Sequence, residues 1–326
     1  MTVSSHLYAL HRLIDAVGGK KDVPLSPYST LKVGGFARYF VQPTSVKEVS
    51  DIERAAFEHG IPLHILSGGS NTLFSDHGFD GIVMKLGSAF DYVHESKDGL
   101  SMRVGAATSY AKVTKMAVIK GWASAVGWSG IPGLMGGAVR MNAGTRFGEI
   151  GDAVSLVQGV INGKAVVLHR QEIVFGYRKN NLPNNIIITD VELSYDKNSL
   201  KPAPELLQKV QDYREKRRKT QPTINSLGSF FKNPYPSFAG ELIEKCNLKG
   251  LQYKSAQISP LHANFIVNNG GASARDILYI AGIAQKTVFE QYGIMLCPEI
   301  KLVGTFDDSV GLCTEASAFN PNVSQE

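Results

Sequence analysis

The residues best placed to do chemistry in this sequence are its glycines. Ser67-Gly68-Gly69-Ser70-Asn71 follows directly on an apolar run, Pro62 to Leu66. Glycines admit positive φ and bring bare N–H groups close to an anion, so such a turn can form a nest for phosphate oxygens. Ser70 and Asn71 add side-chain donors. An ordinary tight turn would use the same residues. A second loop, Gly130-Ile131-Pro132-Gly133-Leu134-Met135-Gly136-Gly137-Ala138, leads into Met141-Asn142-Ala143-Gly144 and is almost free of charge. A solvent-exposed linker would be polar. This one reads as backbone packed against something large and flat, or as a buried glycine-rich crossing of two elements.

What these loops lack is equally informative. No GxGxxG opens a helix, no GxxxxGK[ST] is present, and GxSxG is missing. A Rossmann dinucleotide site, a P-loop and an α/β-hydrolase nucleophile are therefore not indicated. The eight histidines are scattered, with no HExxH and no Cys/His cluster at zinc spacing, so no metal is expected. Cys246, Cys297 and Cys313 are far apart and odd in number, which favours reduced thiols. The net charge of +5 is concentrated in Arg214-Glu215-Lys216-Arg217-Arg218-Lys219, a run that suits phosphates or a solvated helix end about equally.

Elements that could position the loops are legible from periodicity. Ser45 to His59 reads as a helix with Ser45 and Glu48 as a capping pair and Val46, Val49, Ile52 and Ala56 on one face. With the apolar runs Ala37 to Val41 and Pro62 to Leu66 it makes a β-α-β unit. Ser101 to Ala107 reads as a strand, and Tyr110, Val113, Met116 and Ala117 as a helix. Asn162-Gly163 between Val154–Ile161 and Lys164–Leu168 signals a tight hairpin. Ile186 to Tyr195 is a further strand. From about Ala203 the character changes: one helix ends in the basic run, a short one covers Glu241 to Lys245, and a long one runs from an N-cap at Ser273 to Tyr292. A boundary near residue 200 follows. The composition, 43% apolar and 19% charged over 326 residues, suits a globular chain, and no stretch approaches the roughly 18 apolar residues of a membrane helix. Met1 to Gly19 lacks signal-peptide features, so a cytoplasmic location is expected.

Taken together, Thr30-Leu31-Lys32-Val33-Gly34-Gly35, Ser67 to Asp76, Gly130 to Gly144, Phe175-Gly176-Tyr177-Arg178, Gly228-Ser229-Phe230-Phe231-Lys232-Asn233-Pro234, His262-Ala263-Asn264-Phe265 and Pro298-Glu299-Ile300 resemble the UDP-N-acetylenolpyruvoylglucosamine reductase family. The resemblance runs from about residue 21 to 304. It implies an α+β fold of the vanillyl-alcohol-oxidase (PCMH) type, in which two subdomains clasp FAD and a third lobe carries substrate contacts. The divisions expected are a helical segment over 1–20, the FAD-binding domain over 21–200 with its split near 90–100, a substrate domain over 201–305, and a polar tail over 306–326. Ser67 stands where many relatives have a third glycine, and Thr145-Arg146-Phe147 replaces smaller residues. The Tyr195 to Pro202 and Leu242 to Gly250 segments resemble the family form without an extra tyrosine-bearing loop.

The resemblance also implies the chemistry: non-covalent FAD, NADPH as donor, and UDP-N-acetylglucosamine enolpyruvate as the small-molecule substrate. Gly68, Gly69, Ser70, Asn71, Gly133, Gly136, Gly137, Asn142 and Gly144 are the cofactor contacts this predicts. Ser229 matches the family's proton donor, with Gly228 permitting close approach and Phe230 and Phe231 excluding water. Arg178 matches the arginine that holds the substrate carboxylate, and Glu299 the glutamate that orients the acid. Tyr177, Lys232 and Asn233 are expected to touch substrate. His262 and Asn264 fit the pattern as structural residues. A monomer is expected, with neither nucleic acid nor membrane as partner. Two rivals stand beside this reading: another flavin oxidoreductase on the same fold, and a nucleic-acid binder using the basic run.

Overall fold

The computed structural model describes residues 11–307 and residue 312. The first ten residues of the expected N-terminal segment, and the expected tail beyond 307 apart from 312, lie outside the described residues. Residues 11–16 are helical. The chain gathers into two units. The first comprises Met1–Val23, Ala37–Gly68 and Asp80–Arg217; the second comprises Pro24–Phe36, Gly69–Phe79 and Arg218–Glu326.

This differs from a linear division at residue 200. The helix Ala203–Thr220 stays with the first unit through Arg217 because Leu206 and Val210 are buried in that unit's core. The segments 24–36 and 69–79 belong to the second unit because Leu31, Val33 and Leu73 are buried in its core.

In the first unit, a four-stranded sheet has the order Lys20–Pro24, Phe36–Val41, Phe79–Met84, Leu63–Ile65. The last two strands are parallel, with Leu63, His64 and Ile65 opposite Ile82, Val83 and Met84. The crossover between Phe36–Val41 and Leu63–Ile65 is the helix Val46–Glu58, whose cap Ser45 accepts from Glu48 N at 3.2 Å. Glu48 reaches one residue beyond the expected partner, accepting from Thr44 N at 2.6 Å. Val49, Ile52 and Ala56 face inward as expected, but Val46 is 40% exposed and Glu53 takes an inward place. The Glu53 carboxylate accepts from Asn162 N at 2.8 Å and also from Gly163 N. It thus satisfies the turn that joins Val154–Ile161 to Lys164–His169, where both turn residues have positive φ as a tight hairpin demands.

That hairpin edges a five-stranded antiparallel sheet, ordered Lys164–His169, Val154–Ile161, Ile187–Ser194, Ser101–Gly105, Val93–Glu95. The helix Tyr110–Ile119 buries Tyr110, Val113 and Ala117.

In the second unit, four antiparallel strands run Ser226–Ser229, Phe265–Asn268, Ala256–Ile258, Gln252–Tyr253, and Lys301–Val303 pairs in parallel with Thr72–Phe74. The helix Ala274–Tyr292 buries Ile277, Ile280, Ala281, Ala284 and Val288, the face its periodicity predicts. It opens on a full capping box: Ser273 Oγ accepts from Asp276 N, and Asp276 Oδ2 accepts from Ser273 N, both at 3.1 Å. Burial alone would raise the Asp276 carboxyl, but Lys254 Nζ at 2.8 Å and the Ser273 bonds hold it below the usual range. A depressed acid stabilises the fold above its unfolded-state pKa and loses that contribution as pH falls through the folded value. Asp276→Asn should therefore cost about 1 kcal/mol at neutral pH and much less in strong acid, measured by denaturant titration at both pH values.

Candidate active site

In the first unit the two glycine loops lie against one another. A Cβ added at Gly68 would stand 2.6 Å from the Gly133 Cα, and one at Gly137 2.6 Å from the Ser67 Oγ. Gly133 has a φ of +131°, and its carbonyl accepts from Tyr110 N at 3.1 Å. The short helix Met135–Arg140 starts here, its first N–H groups bonded to Thr108 and Ala106 carbonyls at 2.9 Å each. At this crossing the Ser67 hydroxyl is buried without a protein hydrogen-bond partner; those of Ser124, beside Gly148, and Ser129, next to Gly130, are likewise buried and unpartnered. A buried hydroxyl left unsatisfied costs on the order of 1–3 kcal/mol, so a backbone crossing that holds one suits a ligand that brings polar atoms to it. The residues present fit the phosphates and ribityl hydroxyls of FAD.

Asn142 and Gly144, also expected beside that cofactor, are tied into the protein as well. The Asn142 side chain is 1% exposed and fully engaged. Its Oδ1 accepts from Gly151 N at 3.0 Å, and its Nδ2 donates to Glu149 Oε2 at 2.6 Å and to the Gly176 carbonyl at 3.1 Å. Gly144 is needed for packing: an added Cβ would sit 2.4 Å from the Glu149 Cα across the small Gly144–Thr145/Gly148–Glu149 hairpin.

Arg178 follows Tyr177 at the turn of a second hairpin, Phe175–Gly176 with Lys179–Asn180. Its φ is +54°, a left-handed conformation costing an ordinary residue on the order of 1–3 kcal/mol and typical of functional positions. Its Nη2 donates to the Gly144 carbonyl at 3.2 Å, its Nη1 is 3.9 Å from Glu149 Oε1, and the guanidinium lies 5.1 Å from the Tyr177 ring centre. Burial pushes the Glu149 carboxyl up, while Arg178 and Asn142 pull it down; the net direction is upward. Tyr177 is 48% exposed.

The second unit holds the remaining candidates. Gly69 turns with φ +64° directly under the Tyr28 carbonyl, which an added Cβ would meet at 1.9 Å. Asn71 Nδ2 donates to the Glu299 carbonyl at 3.1 Å, and Lys301 N donates to the Asn71 carbonyl at 2.9 Å. Glu299 N in turn donates to the Phe230 carbonyl at 2.8 Å. Glu299 and Ser229 are thus brought onto adjoining backbone, and Asn71 anchors the glutamate's segment.

Ser229 ends its strand opposite Phe265 after an irregularity at Gly228, whose φ is +79°. It lines a cavity of about 560 Å³ together with Asn233, Phe238, Glu241, Lys245 and His262. Asn233 Oδ1 accepts from Ala239 N at 3.1 Å, at the start of the helix Ala239–Lys245. Lys232 is exposed, its backbone N–H donating to the Cys297 carbonyl at 2.8 Å.

The strand is locked by Asn264. Phe230 N donates to its carbonyl at 2.7 Å, and its buried side chain both accepts from Phe231 N at 2.9 Å and donates to the Phe231 carbonyl at 2.8 Å. Asn264→Ala strands two buried backbone groups and should cost about 2–4 kcal/mol, read as a lower denaturation midpoint.

The basic run divides. Arg217 is half-buried: Nη1 donates to the Ser129 carbonyl at 3.2 Å, and the guanidinium lies 5.8 Å from the Tyr213 ring centre. Burial lowers its pKa. Arg214, Lys216, Arg218 and Lys219 are exposed.

Sequence reasoning missed Glu149, although it had a local signal, an Asn and a Glu flanking a glycine-bounded hairpin. Asn264 was expected as a structural residue, but its pair of hydrogen bonds to Phe231, 33 residues away, left no local signal. Among the described residues Cys246 and Cys297 are free thiols, no group of three His, Cys, Asp or Glu could hold a metal ion, and no helix is long and apolar enough to cross a membrane.

Two family models match this chain: an FAD binding domain over residues 37–162 and the UDP-N-acetylenolpyruvoylglucosamine reductase C-terminal domain over 220–303. The UDP-N-acetylenolpyruvoylglucosamine reductase of Anaeromyxobacter sp. (strain Fw109-5) is 38% identical, covering 90% of this chain and 91% of that protein. That of Myxococcus xanthus (strain DK1622) is 35% identical, covering 91% and 97%. The crystal structure of UDP-N-acetylenolpyruvylglucosamine reductase from Thermus caldophilus superposes with a TM-score of 0.74 at 36% identity, over 87% of this chain and 98% of that one. The expected α+β FAD-binding fold is therefore present, and the chain belongs to the UDP-N-acetylenolpyruvoylglucosamine reductase family.

Proposed function

We propose that this chain reduces UDP-N-acetylglucosamine enolpyruvate to UDP-N-acetylmuramate, with FAD held non-covalently and NADPH as donor, in peptidoglycan precursor synthesis. Family membership along nine-tenths of the chain supports the reaction. The observation that carries the residue assignment is the Glu299 N–H bonded to the Phe230 carbonyl, beside a Ser229 that lines a cavity.

FAD, when bound, supplies a hydride derived from NADPH. Hydride addition to one alkene carbon leaves its neighbour carbanionic, with the charge spread onto the substrate carboxylate. Arg178 holds that carboxylate and stabilises the growing charge. Ser229 Oγ–H gives its proton to the carbanionic carbon; a hydroxyl is a weak acid in water but adequate beside so strong a base. Glu299 hydrogen-bonds the enolic oxygen and orients the serine. Tyr177, Lys232 and Asn233 contact the substrate, and Gly68, Gly69, Ser70, Asn71, Gly133, Gly136, Gly137, Asn142 and Gly144 hold the cofactor. The enzyme is read as a monomer, and as cytoplasmic because NADPH and nucleotide sugars are internal metabolites; the substrate domain, expected over 201–305, is read as the second unit, whose C-terminal share starts at Arg218.

The test is the visible spectrum of the purified protein. A flavin band that NADPH bleaches and the enolpyruvyl substrate restores is the expected result. A yellow pellet after acid precipitation would overturn non-covalent attachment. A colourless protein with salt-dependent RNA affinity would overturn the enzyme itself.

A further inference from the structure

Arg178 stands at a hairpin turn in a backbone conformation that side-chain-bearing residues rarely adopt, so its aim depends on what surrounds it. Three of its neighbours bear on that aim. The Gly144 carbonyl accepts from Nη2 at 3.2 Å, the Tyr177 ring centre is 5.1 Å from the guanidinium carbon, and Glu149 Oε1 is 3.9 Å from Nη1. The last distance is too long for a hydrogen bond and acts through charge.

Glu149 is itself clamped. Asn142 Nδ2 bonds its other oxygen at 2.6 Å, while the same amide nitrogen bonds the Gly176 carbonyl at 3.1 Å, in the hairpin that carries Arg178. The opposite end of Asn142 takes Gly151 N at 3.0 Å. Glu149 N donates to Asp152 Oδ2 at 2.8 Å, fixing the backbone as well. One buried asparagine therefore sets both the carboxylate and the arginine's hairpin in register.

Partial burial opposes the charge on Glu149, and ion pairs kept against such a penalty are weak stabilisers of a fold. Their better-attested use is to fix geometry. A guanidinium that must meet a planar carboxylate needs its fork aimed as well as charged.

We propose that Glu149, clamped by Asn142, is a positioning residue that aims the Arg178 guanidinium at the substrate carboxylate. This rests on the role given to Arg178 above. In this role Glu149 acts through Arg178 and is not itself a catalytic residue.

The experiment is a double-mutant cycle read separately on the two half-reactions, using flavin-loaded protein. Glu149→Ala should slow re-oxidation of the reduced flavin by UDP-N-acetylglucosamine enolpyruvate about 30-fold, with bleaching by NADPH changed less than about twofold. Glu149→Gln, which keeps an acceptor for Asn142, should slow it about fivefold and serves if the alanine variant loses flavin. In an Arg178→Ala background either change should have under about a twofold further effect. An undiminished effect in that background, an equal loss in both half-reactions, or no effect in the single variants would overturn the proposal. If Arg178→Ala itself re-oxidised at the wild-type rate, the assignment of Arg178 would fall and this proposal with it. A wild-type enzyme inert to the substrate would instead overturn the reaction.

Discussion

Replacing Ser229 by alanine should leave the bleaching of the flavin by NADPH near normal and slow its re-oxidation by the enolpyruvyl substrate by about 10²–10⁴-fold, the usual contribution of a positioned general acid. The surroundings make the substitution clean. The backbone at 229 is paired with Phe265, and the next residue is bonded to the Asn264 carbonyl at 2.7 Å. Alanine removes a hydroxyl without disturbing either. Stopped-flow absorbance at the flavin's visible band separates the two steps. Equal loss in both would show that the hydroxyl is not the proton source.

Gly68→Ala should release the flavin. The glycine's φ is not in the left-handed region, so the obstacle is space. Its Cβ would stand 2.6 Å from the Gly133 Cα and 3.3 Å from the Gly133 carbonyl carbon, and both are backbone, with no rotamer to yield. The loops must part. Overpacking of this kind costs about 1–3 kcal/mol, which, transferred to cofactor binding, weakens it by about 5- to 150-fold. The ratio of flavin to protein absorbance after gel filtration measures it. Full flavin retention with an unchanged melting temperature would mean that the crossing of the two loops does not shape the cofactor site.

Local chemistry was legible wherever a motif is complete within a few residues. Asn162-Gly163 announces its hairpin because both positions need positive φ, and Ser273 with Asp276 announces a helix start because the two side chains satisfy each other's backbone. Long-range choices were not. Val46 and Glu53, seven residues apart, share a helix face, but that a carboxylate is buried there depends on the Asn162-Gly163 turn that Glu53 serves, more than a hundred residues along the chain. Asn142 sits in a glycine loop like a cofactor ligand, yet Glu149, Gly151 and Gly176 occupy its amide. Ser229 on its own reads as a serine in a turn; only its family resemblance marks it. The exchange of segments 24–36 and 69–79 into the second unit leaves no local trace, because Leu31, Val33 and Leu73 look like core residues wherever they lie.

That exchange has a consequence for birth on the ribosome. Thr72–Phe74 leaves the exit tunnel early, but its partner Lys301–Val303 is translated some 230 residues later. At about 5–20 residues per second the earlier strand waits on the order of 10–50 seconds with its edge unpaired. Vectorial maturation, with the N-terminal portion finished before the rest emerges, is closed to this polypeptide. Nascent chains truncated before residue 301 should therefore be protease-sensitive at 69–79, and chaperone demand should end only when the last strand arrives.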